Sequence, residues 1–309
     1  MPSRVPGLVF SKARLLGLLR KVDQNREATS RVLSLEYGFR ARVQAHLDAL
    51  PGSESPLSSF ATNPFVLAMY ARLRGYRRVS QIASDILPAK LFSSMETSAG
   101  RLVEDVVLPV YGWEAAPSGM HTTDSAIDGV KVSGSLVSVA TLKSGPRCLN
   151  DEMSENFADN IASYGENWVS QRGGAELDFT YGVLYGTKRR SNKKDWHILN
   201  KLCNKLPVQA VLESPVGRWD CRFLLGKTPS TACVRVGAEW WDYLGGETCL
   251  VEVCVALIRA CIDPDSLSEV DPIIGISDFS EITSVPTINE GSMFSILQKS
   301  QLPWYFLVM

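Results

Sequence analysis

The stretch Ala126-Ile127-Asp128-Gly129-Val130, followed by Leu136-Val137-Ser138-Val139-Ala140-Thr141-Leu142-Lys143, decides how the chain is read. Both runs are short and rich in Val, Ile and Ser, and Ser133-Gly134-Ser135 between them carries turn chemistry, so together they predict a β-hairpin. A hairpin returns the chain to where it left, which brings Asp128 and Lys143 to one end of a sheet. A carboxylate and an ammonium on one rim suit metal-assisted phosphodiester hydrolysis. Hard carboxylate oxygens hold Mg²⁺, and a lysine orients the attacking water and offsets phosphate charge. The same spacing also occurs as a plain surface pairing, and spacing alone leaves both readings open.

Around the hairpin, Leu15, Leu16, Leu18, Leu19, then Val32, Leu33, Leu35, and later Val43, Leu47 and Leu50 predict two helices between Ser11 and Leu50. Pro51 to Ser59 reads as a loop, and Asn63 with Pro64 opens a helix that Gly75 stops. Leu102, Val103, Val106 and Val107 predict a helix over Ser98 to Val107, with Glu104 and Asp105 between them. Leu149 to Tyr164 reads as a helix, Phe179 to Tyr185 and Val208 to Leu212 as strands, and Cys249 to Ile262 as a buried helix. The order predicts an α/β (α+β) fold, a mixed β-sheet flanked by helices with a helical N-terminal arm. The expected divisions are an arm over 1–60, a core over 61–262 and an acidic extension over 263–309.

Composition narrows the function classes. The chain has 309 residues, 45% of them hydrophobic and 21% charged, which is ample for a core and unlike a disordered chain. No apolar window is long enough for a membrane helix, and Arg4, Lys12 and Arg14 interrupt the N-terminus. Seven scattered cysteines without a CxxC, and three histidines apart from any cysteine pair, argue against disulfide scaffolds and zinc modules, so a reducing cytoplasm is expected. The net charge is −1, but from Asp263 onward seven acids face one base, Lys299, which leaves 31 bases against 26 acids before it. Basic residues concentrate at Arg72, Arg74, Arg77 and Arg78, and again at Lys188, Arg189, Arg190, Lys193 and Lys194; each group is either a solvated face or a phosphate grip. Trp240 and Trp241 read as core packing, His197 has no triad partner, Ser144 sits in no nucleophile elbow, and no glycine-rich phosphate loop is present.

Asp128-Gly129 with Ser138-Val139-Ala140-Thr141-Leu142-Lys143-Ser144-Gly145 resembles the PD-(D/E)XK nuclease signature, and within it the type II restriction endonucleases that cut RGGNCCY sites. Further blocks resemble that subgroup in the same order, from Ala61 to Ala260. They are Thr62-Asn63-Pro64-Phe65, Gly100-Arg101-Leu102-Val103-Glu104-Asp105 with Leu108-Pro109, Gly182-Val183-Leu184-Tyr185-Gly186, and Glu239-Trp240-Trp241-Asp242-Tyr243-Leu244. The resemblance implies a restriction-endonuclease-like core that cuts double-stranded DNA with Mg²⁺ and leaves 5′-phosphate ends. It makes Asp128 the first metal ligand, Lys143 the catalytic lysine and the carbonyl of Leu142 a further ligand. Thr141 stands where the superfamily has Asp or Glu, so the second carboxylate must come from elsewhere: Glu104, or else Glu152 or Glu155.

Arg147 follows the lysine closely enough to enter a groove, where it reads guanine O6 and N7 or contacts phosphate; Asn150, Asp151 and Glu152 are its candidate companions, and Lys188, Arg189 and Arg190 the phosphate grip. Cutting both strands of a short palindromic G/C-rich site implies a homodimer, with Ser11 to Leu50 as the expected contact because its apolar positions need cover. A companion methyltransferase is implied by function alone. Two rivals remain at this stage: a DNA-binding protein whose centre Thr141 has disabled, and an interaction protein working through its helical arm.

Overall fold

A computed structural model of the chain describes residues 12–49, 64–116, 126–206, 211–212 and 219–261. Outside the described residues lie the Pro51 to Ser59 loop, the Asn63 cap, Val208, and the acidic extension over 263–309. Among the described residues, no helix is long and apolar enough to cross a membrane.

The hairpin forms. Strand β2 (Gly129–Ser133) pairs antiparallel with β3 (Leu136–Lys143), turning at Gly134, whose φ of 60° suits a residue without a side chain. The two-residue β1 (Glu114–Ala115) flanks β2. On the other side of β3, β4 (Glu176–Val183) is parallel to it and β7 (Thr228–Val236) is parallel to β4; β6 (Asp220–Leu225) and β5 (Val211–Leu212) complete the far edge antiparallel. Among the described residues the order is β1-β2-β3-β4-β7-β6-β5, a mixed sheet of seven strands with helices on both faces. Parallel β3 and β4 need a crossover, and helix α6 (Asp151–Ser170) supplies it.

Central β3 is buried on both faces, which is why it reads as an almost unbroken apolar run. Val137 and Val139 meet α6 and α7 (Lys194–Lys205), along with Ile161, Trp168, Leu199 and Leu202. Ala140 and Leu142 meet the opposite layer, where Trp240, Trp241 and Leu244 of α8 (Ala238–Gly245) lie against α9 (Cys249–Cys261). Trp240 and Trp241 are thus core residues, as their pattern suggested.

The predicted helix over Ser98 to Val107 is the end of a longer one. Helix α4 (Val79–Leu102) runs into a π-helical stretch, Val103–Val107, and then a turn of α5 (Leu108–Val110). Within that stretch the Leu108 N–H bonds Val103 O, five residues back. Pro109 has no N–H to return to Asp105, so the wider turn develops where the helical ladder is already broken.

The N-terminal helices pack on the core with part of their apolar face. Leu18, Leu19 and Val22 of α1 (Lys12–Gln24), and Val32, Leu35 and Phe39 of α2 (Arg26–Ala49), are buried in the same cluster as α9 and the π stretch. At about 1.5–3 kcal/mol for each fully buried side chain, this packing is ample reason for the helices to dock. Arg31 and the fully buried Glu252 lock the contact through a bidentate pair at 2.7 and 2.8 Å. Leu18, Leu19, Val32 and Leu35, four of the positions expected to need cover, therefore find it within the chain, while Leu33 and Leu47 of the same segment stay exposed. Helix α3 (Pro64–Arg74) is the reverse case: none of its residues is buried, and Phe65, Met69 and Leu73 are exposed. Of the basic group around it, Arg74 is bound to Asp85 at 3.0 Å.

Candidate functional site

Asp128 lies one residue before β2, not within a strand. Its backbone still follows the ladder: its N–H donates to Ala140 O at 2.7 Å and its carbonyl accepts from Ala116 N at 3.2 Å. Gly129 opposite Ala140 is the last paired position, so the Leu142 N–H has outrun its partner strand. The Asp128 side chain replaces the missing acceptor. Its Oδ2 takes the Leu142 N–H at 2.6 Å and the Thr141 hydroxyl at 3.0 Å. A strand residue's N–H and C=O point to the same side, so the Leu142 carbonyl lies on that edge as well.

Thr141 is thus no substitute for an acid. Buried at 3% exposure, it fixes the orientation of the acid that is present. Lys143, two residues on and on the same face, ends β3 half-buried with its Nζ 5.9 Å from the Phe157 ring centre. Phe157 stands edge-on to Tyr181, 5.4 Å between centroids, so the lysine stem runs along an aromatic wall. Neither Phe157 nor Tyr181 stands out in the sequence; the usable signal is Phe157 about two turns into the helix that follows Lys143.

Glu104 arrives from the other layer. Val103, Val106 and Val107 around it are buried, and Glu104 itself is half-buried. Gly129 permits the approach, since a Cβ there would stand 2.7 Å from Leu108 Cδ1. Burial holds the Glu104 carboxyl above the ordinary carboxylate range, Asp128 and then Asp105 push it further the same way, and Lys143 and Arg101 pull it back. The Glu104 carboxyl thus feels both Asp128 and Lys143. Its neighbour Asp105 is exposed and paired with Arg42 at 2.5 Å.

The competing acids are placed elsewhere. Glu155 is bound to Lys201 at 2.7 Å and also to Lys205, between α6 and α7. Glu152 is exposed in the first turn of α6. Among the described residues no three acidic, His or Cys side chains gather as a metal site, so two carboxylates and a backbone carbonyl are what the rim offers. That donor set fits Mg²⁺, which keeps several waters and takes one or two carboxylates.

Several candidate DNA contacts have jobs inside the chain. Arg147 is exposed, and its Nε donates to Arg190 O at 3.0 Å. Asn150 caps α6 by accepting from Met153 N at 2.8 Å. Asp151 pairs with Lys194 at 2.6 Å, which holds its carboxyl below the ordinary range. His197 stands 3.5 Å from the same carboxylate. Lys188 pairs with Glu239 at 2.8 Å and lies 5.5 Å from the Trp219 ring centre, while Arg189 is exposed.

Residues 61–206 match the model of the family described as type II restriction endonuclease EcoO109I. The matched stretch includes Glu104, Asp128, Thr141, Lys143 and Arg147. No curated protein matches the chain. The family match supports a type II restriction endonuclease, and with it site-specific cleavage of double-stranded DNA.

Proposed function

We propose that the chain is a Mg²⁺-dependent type II restriction endonuclease of the PD-(D/E)XK kind, with Asp128, Glu104 and the Leu142 carbonyl as metal ligands and Lys143 as the catalytic lysine. The observation that carries this reading is the anchored Asp128 carboxylate beside Lys143, with Glu104 sharing their field. Two acids that repel each other across a partly buried rim favour a divalent cation between them. Bound there, Mg²⁺ would supply Lewis-acid polarisation of the scissile phosphate and a lowered pKa for the attacking water.

The chain's own part is to orient and to balance charge. The Lys143 ammonium, steered by Phe157, donates to the attacking water and to a phosphate oxygen, so that attack lies in line with the leaving 3′-oxygen. Thr141 and the Leu142 N–H hold Asp128 against rotation during this step. Hydrolysis leaves 5′-phosphate and 3′-hydroxyl ends. The site proposed is palindromic and G/C-rich, of the RGGNCCY kind, and two copies of the chain cut its two strands. Arg147 reads a guanine through the guanidinium nitrogens other than Nε, with Glu152 beside it; Lys188, Arg189 and Arg190 follow the phosphates.

The test is digestion of a sequenced plasmid with and without Mg²⁺, with the ends mapped. Discrete fragments with 5′-phosphates that require Mg²⁺, lost in Asp128→Ala and Lys143→Ala while both variants keep the wild-type circular dichroism spectrum, support the reading. Discrete cleavage that survives either substitution would falsify it. The one observation favouring a second reading is Thr141 at the acid position. A sequence-specific gel shift without cleavage would establish that second reading, a binding protein without chemistry.

A further inference from the structure

We propose that Cys203 and Cys221 are a modification site, a dithiol that hydrogen peroxide converts into a reversible disulfide. Cys203 is in the last turn of α7 and Cys221 is in β6, and their sulfurs stand 3.0 Å apart. A disulfide needs about 2.05 Å between sulfurs, so closure takes about 1 Å of movement, within reach of a side-chain adjustment at the end of a helix.

The two thiols differ in access. Cys203 is partly exposed, so an oxidant reaches it; Cys221 is fully buried among Phe223, Leu202 and Trp219. Burial, and then the contact with Cys203, pushes the Cys221 thiol well up, so it waits as a neutral thiol. Cys203 sulfur attacks one peroxide oxygen, the O–O bond breaks, and the second oxygen leaves as hydroxide that takes the Cys203 proton to become water. Cys203 is then a sulfenic acid. Cys221 sulfur attacks the Cys203 sulfur, the S–O bond breaks, and the departing hydroxide leaves as water with the Cys221 proton. Two thiols and one peroxide become one disulfide and two waters.

The other cysteines are placed differently. Cys148 and Cys261 are exposed, Cys249 and Cys254 are buried in the opposite layer, and Cys233 is buried on β7 opposite Asp220, where an oxidant does not reach it first. The link would tie the C-terminal end of α7 to the sheet across the segment between residues 203 and 221, constraining the unfolded chain and raising the melting temperature. Neither sulfur is at the Asp128 rim.

The experiment treats the reduced full chain with hydrogen peroxide and measures intact mass, free thiols and linked tryptic peptides. The expected result is loss of the mass of two hydrogens, a fall from seven free thiols to five, a peptide joining Cys203 to Cys221, a higher melting temperature, and full reversal by a thiol reductant. Cys203→Ser should give no link and keep DNA cleavage. Cys221→Ser should trap a sulfenic acid on Cys203 that dimedone labels. Oxygen addition at Cys203 in the wild-type chain without the link, or earlier cross-linking through Cys148 or Cys261, overturns the proposal. A link that forms but lowers the melting temperature overturns it too, because the native geometry would then not fit a disulfide.

Discussion

Thr141→Val tests whether Thr141 acts by holding Asp128. Valine keeps the β-branched shape and the strand preference, so packing between β2 and β4 is preserved while one donor is lost. That donor sits 3.0 Å from Asp128 Oδ2 at a position only 3% exposed, so water does not readily replace it. A hydrogen bond to a charged group is worth about 1.5–3 kcal/mol, and metal-free stability should fall by that amount. The Leu142 N–H remains on the same oxygen, so Asp128 stays in place but turns more freely. If the same energy is lost from the transition state, the single-turnover rate at saturating Mg²⁺ falls by about one to two orders of magnitude. The assay pairs plasmid cleavage with urea unfolding in the presence of a chelator. Thr141→Ser restores the hydroxyl and should recover most of the rate. A wild-type rate in Thr141→Val, with stability lowered as expected, would refute the positioning role and leave Thr141 a structural residue.

Glu104→Gln should lose cleavage yet retain specific DNA binding, and Glu155→Gln should cleave normally, since Glu155 is committed to Lys201 and Lys205; the reverse pattern, measured by cleavage and gel shift, would move the metal shell to α6. Because the Glu104 carboxyl is held up by burial and by Asp128, falling pH protonates it earlier than an ordinary glutamate, so the cleavage rate at limiting Mg²⁺ should drop through that raised range. Excess Mg²⁺ competes with the proton and should shift this limb to lower pH, and a limb that ignores Mg²⁺ would count against Glu104 as a ligand. Arg147→Ala should cost about 1–3 kcal/mol at one G·C pair and its symmetry mate on a panel of single-substituted sites, whereas uniform loss across the panel would make it a phosphate contact. Asp195 is fully buried and its carboxyl is raised from 3.8 to about 6 by burial, against the opposing bond from Ser191. The folded chain therefore keeps a proton that the unfolded chain has released, and wild-type stability falls as pH rises through that window. The stability of Asp195→Asn relative to wild type should accordingly grow by about 2 kcal/mol between pH 4 and pH 7 in urea unfolding, and a pH-independent difference would show that Asp195 is not the titrating group.

The hairpin was legible because everything that makes it is local. Alternating apolar residues, a glycine at the positive-φ turn and β-prone chemistry act over neighbours, and they alone carry Asp128 to Lys143. Trp240 and Trp241 were legible as core for a similar reason, since large apolar rings at helical spacing have few other uses. Strands β6 and β7 were not read in advance. Their partners, β4 and one another, are set by a sheet order in which β7 inserts beside β4 ahead of β6. Periodicity also showed that α1 and α2 have apolar faces without showing what covers them. Part of the answer, α9 with Glu252 binding Arg31, lies 221 residues away, beyond the reach of periodicity.

The choice among Glu104, Glu152 and Glu155 was open for the same reason. All three are helical acids in the sequence. What separates them is that α6 turns Glu155 toward the lysines of α7, while the π-helical turn and Gly129 let the stretch around Glu104 close on Asp128. By itself the sequence determined the strand pair and the placing of Asp128 and Lys143 near one end of it, because short-range sterics and the alternation of side chains decide them. Only the tertiary structure decided which distant carboxylate shares that rim and what covers each apolar helix face, because those depend on packing between elements far apart along the chain.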